Sequence, residues 1–160
     1  MKKEMTIREA NAADVSTLLE FEQGIVDAER PFHALLKDGE IHYYDLAELV
    51  ASPDAGVFIG EIDGVAVASG YARIRKAKDY LRHDRYAYLG FMYVRPEYRG
   101  RGLNQEILDA LFEWSAARGI DEIRLEVFDA NLTAVRAYEK AGFERHLLEM
   151  RLSLGERADD

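Results

Sequence analysis

The chain contains no cysteine in its 160 residues. That excludes a disulfide framework, a thiolate zinc site and a cysteine nucleophile. It has no apolar run long enough to span a bilayer, and its start, Met1-Lys2-Lys3-Glu4, lacks the apolar segment of a secretory leader. A soluble, cytoplasmic protein without a membrane partner is expected. Positive charge is also scarce, 21 Lys and Arg against 30 Asp and Glu for a formal net charge of -9. Nucleic acid is therefore not an expected partner, because its affinity comes largely from lysine and arginine contacts to phosphate, whereas a cationic or amine-bearing substrate is mildly favoured. His33, His42, His83 and His146 lack a metal-ligand spacing such as His-x-x-x-His, and no metal is expected. What is present is 48% hydrophobic content, enough for one packed core. One domain over 1–160 is expected, with a core from about 5 to 152.

The three prolines fall where patterns break, at Arg30-Pro31, Ser52-Pro53 and Pro96. Between those breaks Thr6, Ile7 and Arg8 suit a short strand, and Asp14 can cap a helix with Val15, Leu18, Leu19, Ile25 and Val26 at helical spacing. Tyr44 to Val50 suits a second, short helix. Val57 to Ile62 and Val65 to Ile74 form a hairpin about Asp63-Gly64, a dipeptide that tolerates positive φ at both positions. Tyr86 to Val94 is aromatic and β-branched enough for a strand, and Leu103, Ile107, Ala110, Leu111 and Trp114 mark an amphipathic helix closing at Arg118-Gly119. Ile123 to Phe128 is expected as a strand, Asn131 to Lys140 as a helix with Gly142 past its end, and Phe143 to Leu154 as a final strand. The order β-α-α-β-β-β-α-β-α-β implies an α/β fold with a mixed, largely antiparallel sheet between helices, a three-layer arrangement. An exposed last strand over Leu147 to Leu154 would be able to pair across a homodimer axis.

Tyr98-Arg99-Gly100-Arg101-Gly102-Leu103-Asn104 joins a strand to a helix. Successive amides there should converge on an anion, with glycines 100 and 102 free to take positive φ and the helix N-terminus adding about half a positive charge. Arg95, Arg99 and Arg101 add mobile charge nearby; an ordinary strand-to-helix turn with surface arginines is the competing reading. A dinucleotide loop would want a third glycine where Gln105 stands, and a P-loop would want Gly-Lys-Ser/Thr, which is absent.

The phrase Tyr-Val-Arg-Pro-Glu-Tyr-Arg-Gly-Arg-Gly-Leu, Tyr93 to Leu103, resembles the acetyl-CoA-binding motif of the GNAT superfamily of N-acetyltransferases, whose core is Arg/Gln-x-x-Gly-x-Gly/Ala. Arg99 and Gly102 match, while Asn104 stands at the last small position. A later segment, Asn131-x-x-Ala134-x-x-x-Tyr138-Glu139-Lys140-x-Gly142-Phe143, resembles a second motif of the same family. The resemblance implies a GNAT-like three-layer fold and an acyltransferase enzyme. It would move an acetyl group from acetyl-CoA to a primary amine of a small molecule or peptide by direct attack. A module that binds acyl-CoA without turnover is the alternative.

The resemblance also implies roles for individual residues. Met92, Tyr93 and Val94 would lie along the pantetheine arm, the Met92 amide polarising the thioester carbonyl. Arg99, Gly100, Arg101, Gly102, Leu103 and Asn104 would hold the pyrophosphate, and Asn131 would contact the cofactor arm unless it is simply an N-cap. Tyr138 would meet the departing sulfur, or else pack as a core aromatic against Phe143. Glu126, on the polar side of an alternating strand, is a candidate base or half of a cross-strand ion pair. Phe91 stands where many relatives carry an acidic residue, so no base is expected there. Glu29, Phe32, His33, Tyr43 and Tyr44, in an irregular stretch rich in charge and aromatic surface, are the candidate acceptor side, or a solvated connection.

Overall fold

The computed structural model describes residues 4–157, so Met1–Lys3, in the start expected to lack a secretory leader, lies outside the described residues. Contacts group the chain into two units, Met1–Glu126 and Val127–Asp160. The first unit holds a five-stranded sheet in the order β1-β2-β3-β4-β5: β1 Thr6–Glu9, β2 Ala55–Ile62, β3 Val65–Lys76, β4 Arg85–Val94 and β5 Ile123–Arg124. The first four strands pair antiparallel, and β5 runs parallel to β4. The β2–β3 turn is the expected one, with Asp63 at φ 52° and Gly64 at φ 76° and Ile62 opposite Val65. Two positive φ values match the right-handed twist of the strands.

Helices cover both faces of this sheet. Helices α1 (Val15–Glu29) and α2 (Leu46–Ala51) bury Leu18, Phe21, Ile25, Leu46 and Leu49 in one cluster with Val57, Ile59, Tyr71 and Phe91. Helix α3 (Leu103–Ala116) packs on the opposite face, where β2 and β3 offer Gly56 and Gly70 to Trp114 and Ile107. A Cβ at position 56 would sit 2.5 Å from the indole Nε1, and one at position 70 would sit 2.6 Å from the Ile107 Cγ2. The missing side chains therefore set how near α3 lies to the sheet. The N-terminus of α1 differs from the sequence expectation. Asn11 and Asp14 form a reciprocal capping box around the 3-10 turn Ala12–Asp14, and the Asp14 side chain, paired with Arg8 at 2.8 Å, makes no cap to α1. An arginine on β1 competes successfully for that carboxylate.

Strand β4 is irregular where it matters. Tyr71 lies opposite Gly90 and Ser69 opposite Tyr93, so Phe91 and Met92 together face the single residue Gly70. This is a β-bulge, and Phe91 adopts φ 57° within it. A bulky residue rarely takes that conformation, so its surroundings must hold it there. Phe91 is buried in the α1/α2 cluster, and its carbonyl accepts a 3.0 Å hydrogen bond from the buried Ser69 hydroxyl.

Two expected strands are corrected. β5 ends at Arg124 instead of Phe128, and its ladder to β4 reaches only Ala87–Ile123 and Tyr88–Arg124. In the second unit, α4 (Leu132–Lys140) forms as expected, but residues 143–153 carry no regular structure before the short α5 (Leu154–Arg157). An apolar, alternating sequence becomes a strand only when a ladder partner satisfies its amides and carbonyls, which the pattern itself cannot supply. Leu147, Met150 and Leu152 are exposed there. The strand from which pairing across a homodimer axis was expected is thus not formed. No helix among the described residues is long and apolar enough to cross a membrane.

Candidate active site

The glycine turn between β4 and α3 takes the conformation that its residues require. Gly100 and Gly102 both stand at φ 78°, with nothing within 4 Å of where a Cβ would be, so φ and not space selects glycine. Gly102 is the N-cap of α3 and contributes no side-chain cap; the first helical bond runs from the Glu106 amide to the Gly102 carbonyl. Among the described residues, every amide from Gly100 to Gln105 donates to no acceptor. Such a row at the positive end of a four-turn helix has the geometry and partial charge to hold an anion. The arginines are less mobile than the sequence suggests. Arg99 donates from Nε to the Val94 carbonyl at 3.0 Å, and Arg101 donates to the Glu97 carbonyl at 3.3 Å. Arg95 is turned away from the turn, donating to the Ala66 carbonyl and pairing with Glu20 at 3.0 Å.

The strand leading into the turn has an open side. Arg95 donates to the Val67 carbonyl, and Tyr93 lies opposite Ser69, so by antiparallel alternation Tyr93 directs its backbone groups toward β3. Met92 and Val94 direct theirs the other way, past the point where the β5 ladder has ended at Tyr88, and on that side, among the described residues, the Val94 carbonyl meets only the Arg99 guanidinium. The Tyr93 ring packs on α1, 4.9 Å from the Phe21 ring, where a Cβ on Gly24 would lie 2.6 Å from it.

The acceptor-side candidates gather at the C-terminal half of α1. Burial raises the Glu29 carboxyl above its ordinary range, with the Tyr43 hydroxyl and the His33 charge pulling it back. The Tyr43 hydroxyl is buried without a well-aligned hydrogen bond, and burial with the nearby Glu29 charge pushes it up to about 12. Tyr44 is raised mainly by burial; its ring stands edge-on to Phe91 at 5.4 Å and to Tyr71 at 5.7 Å. Phe32 is partly exposed on the 3-10 turn that follows α1, and the His33 Nδ1 accepts from the Leu35 amide.

Sequence reasoning missed Glu22. Its carboxylate is fully buried and accepts from the Tyr43 and Tyr44 amides at 3.0 Å each, while its other oxygen meets the His42 Nδ1 at 2.8 Å. The signal was present. Position 22 falls four residues after Leu18 and three before Ile25, on the apolar stripe of α1.

The remaining candidates separate by role. Among the described residues no hydrogen bond or ion pair holds the Glu126 carboxylate, because Arg124 pairs with Glu122 at 3.4 Å instead. Glu126 lies close enough to Tyr88 that its charge, after burial, helps push that hydroxyl up to about 12, and it acts the same way on Tyr71. Asn131 is an N-cap, its Oδ1 accepting the Ala134 amide at 3.3 Å. Tyr138 sits on α4 with its ring 5.8 Å from that of Phe143, nearly perpendicular. Among the described residues, no group of three histidine, aspartate or glutamate side chains gathers as metal ligands.

The sequence model of the Acetyltransferase (GNAT) family matches residues 20–143, well over half of the chain. The chain belongs to the GNAT acetyltransferase family. It is similar to the aminoglycoside N(6')-acetyltransferase type 1 of Stenotrophomonas maltophilia, 27% identical over 144 residues that cover 87% of this chain and 86% of that one. The thialysine N-epsilon-acetyltransferase of Bos taurus is 30% identical over 147 residues, covering 85% and 82%. In fold it resembles a predicted acetyltransferase from Clostridium acetobutylicum solved with acetyl-CoA, at TM-score 0.70 and 21% identity over 96% of this chain and 98% of that one. As a GNAT acetyltransferase the protein is an acyltransferase enzyme. The resemblance read at Tyr93 to Leu103 is borne out, and the bulge, the glycine turn and the Glu22 knot of this GNAT acetyltransferase all lie inside the matched residues.

Proposed function

We propose that this GNAT acetyltransferase takes acetyl-CoA as donor and transfers the acetyl group to a primary amine of a small molecule or peptide by direct attack. The observation that carries this reading is the row of amides from Gly100 to Gln105 without acceptors, set directly after a strand with an open side. A pyrophosphate has the charge and the oxygens to satisfy that row. Gly100, Gly102, Leu103 and Asn104 would hold it by their amides, Arg99 and Arg101 would add charge, and Met92 and Val94 would hold the pantetheine amides as an added strand. The fit is chemical: unpaired donors at a helix N-terminus suit an anion and repel a cation. Asn131, already a cap, would touch the arm from α4. Bound acetyl-CoA supplies an acetyl group activated as a thioester.

The chain's own groups would then divide the work. The Met92 amide would donate to the carbonyl oxygen where negative charge gathers, a contact worth about 3 kcal/mol in comparable oxyanion sites. A lysine-like amine near pKa ~10.4 is mostly protonated at neutral pH, and Glu126 would take its proton, directly or through water. Tyr138 would hydrogen-bond to the sulfur as the C–S bond breaks. Full proton transfer from a tyrosine near ~10 to a thiolate near ~8.5 is uphill by roughly 2 kcal/mol, so the hydrogen bond is the more economical role. Glu29, Phe32, His33, Tyr43 and Tyr44 would line the acceptor side. The named relatives act on an aminoglycoside and on thialysine, both amines, which supports an amine here.

Thiol release from acetyl-CoA across a panel of primary amines tests the reading. Release with at least one amine is expected; tight acetyl-CoA binding with no release from any would overturn it. Tyr138→Phe is expected to lower kcat about 100-fold with little change in donor affinity. Full turnover in that variant would remove Tyr138 from the chemistry.

A further inference from the structure

The segment from His33 to Asp45 carries no helix or strand, yet it supplies Tyr44, whose ring meets Phe91 at 5.4 Å, and Tyr43, packed against the same cluster. Side chains of α1 and the turn after it fasten it down. Arg30 donates to the Lys37 and Gly39 carbonyls on the exposed side, and Gln23 donates to the Ile41 carbonyl at 2.8 Å. Glu22 fastens it from inside the core, one carboxylate oxygen receiving both the Tyr43 and Tyr44 amides and the other receiving His42. We propose that Glu22 is a positioning residue for the acceptor side, a buried carboxylate that docks the His42–Tyr44 stretch so that Tyr44 is held against the bulge of β4 with Tyr43 beside it. This rests on the reading that the bulge and these tyrosines form the acetyl-transfer site.

Three observations carry it. A carboxylate with no exposed surface is costly unless hydrogen-bonded, and each donor it has found comes from this one stretch. The tyrosine that it seats meets Phe91 edge to face, and the positive φ of Phe91 persists only while its surroundings hold it. On the other side of the bulge the Ser69 hydroxyl fixes the Phe91 carbonyl. The bulge residue is thus braced from β3 and from the Glu22-docked stretch, and the next residue is Met92, whose amide faces the open side of the sheet.

The brace contains a titrating partner. His42 is half exposed, with Glu22 from α1 at 2.8 Å and Glu40 from its own stretch at 3.3 Å as the charged groups facing it. Glu22, first by its hydrogen bond, raises the His42 pKa above 6.5. A raised pKa means that the stabilisation is complete below the unfolded value and is lost as pH rises through the folded one. Docking should therefore loosen on the alkaline side.

The test uses Glu22→Gln in the full chain, with the best amine of the panel and acetyl-CoA as ligands. Expected are a fall of at least tenfold in kcat/KM for the amine, an acetyl-CoA Kd within twofold of wild type, and hydrogen exchange at least tenfold faster at the Tyr43 and Tyr44 amides with α3 amides unchanged. Donor affinity falling in step with the amine parameters, or unchanged exchange at Tyr43 and Tyr44, would overturn the proposal. His42→Ala, at an exposed position, guards against a misfolded Glu22 variant: it should abolish the loss of amine affinity on the alkaline side of the ordinary histidine range, and a wild-type-like pH profile would count against the proposal. If the wild type released no thiol with any amine, the acetyl-transfer reading would fail, while amide exchange would still decide whether Glu22 docks the stretch.

Discussion

At Gly102 the backbone stands at φ 78° with open space on the side where a Cβ would project. Alanine there meets no neighbour but pays the left-handed penalty of about 1–2 kcal/mol, relieved only by rotating the first amides of α3 out of convergence. Gly102→Ala is accordingly expected to weaken acetyl-CoA binding about tenfold, measured by titration calorimetry, with the KM for the amine little changed. Phe91 shows the opposite relation between residue and conformation. A phenylalanine occupies a backbone region suited to glycine because the ring is buried among Tyr44, Tyr71 and Ile59, and its packing outweighs the local strain. Nothing in the local sequence around Phe91 announces this, since the register shift exists only once β3 is alongside. Glu22 was hidden for a related reason: its donors arrive from about twenty residues away, and a lone carboxylate on a helix is ordinarily a solvated one.

Among the elements, α3 and the sheet meet with little slack. A Cβ on Gly70 would lie 2.6 Å from the Ile107 Cγ2 and 2.8 Å from the Met92 Sδ, so it would push α3 outward and disturb the bulge from its other face. Gly70→Ala is expected to cost about 1–3 kcal/mol, visible as a lower urea midpoint at unchanged slope, and to reduce kcat as well. The hairpin at Asp63-Gly64, the α3 periodicity and the Arg99-x-x-Gly102 turn were legible in the sequence because each is decided within a few residues. The strands expected at Ile123 to Phe128 and Phe143 to Leu154 were not reliable, since β pairing is a property of two segments and only one can be read at a time. For the same reason the bulge, which governs where Met92 points, is not legible in the sequence, while the glycine turn that follows the same strand is.

For the molecule as a whole, 30 acidic against 21 basic side chains produce a field that attracts cations. With a cationic amine as acceptor, kcat/KM is expected to fall several-fold between low salt and about 0.5 M, where the Debye length is well under 10 Å; a neutral amine of similar size should respond far less. A flat response for the cationic amine would mean that the surface charge serves solubility alone.

The unpaired amides at the start of α3 have one further consequence. A helix ordinarily obtains its N-terminal cap from its own chain, and here no side chain supplies one. The donor's phosphates would take that place, so the substrate would act as a removable part of the protein's secondary structure. Folding and donor supply are then linked: at 100 times Kd, acetyl-CoA should add about 2.7 kcal/mol to the stability of the fold and raise its thermal midpoint with ligand concentration. The enzyme would be most resistant to heat and proteolysis when its donor is plentiful.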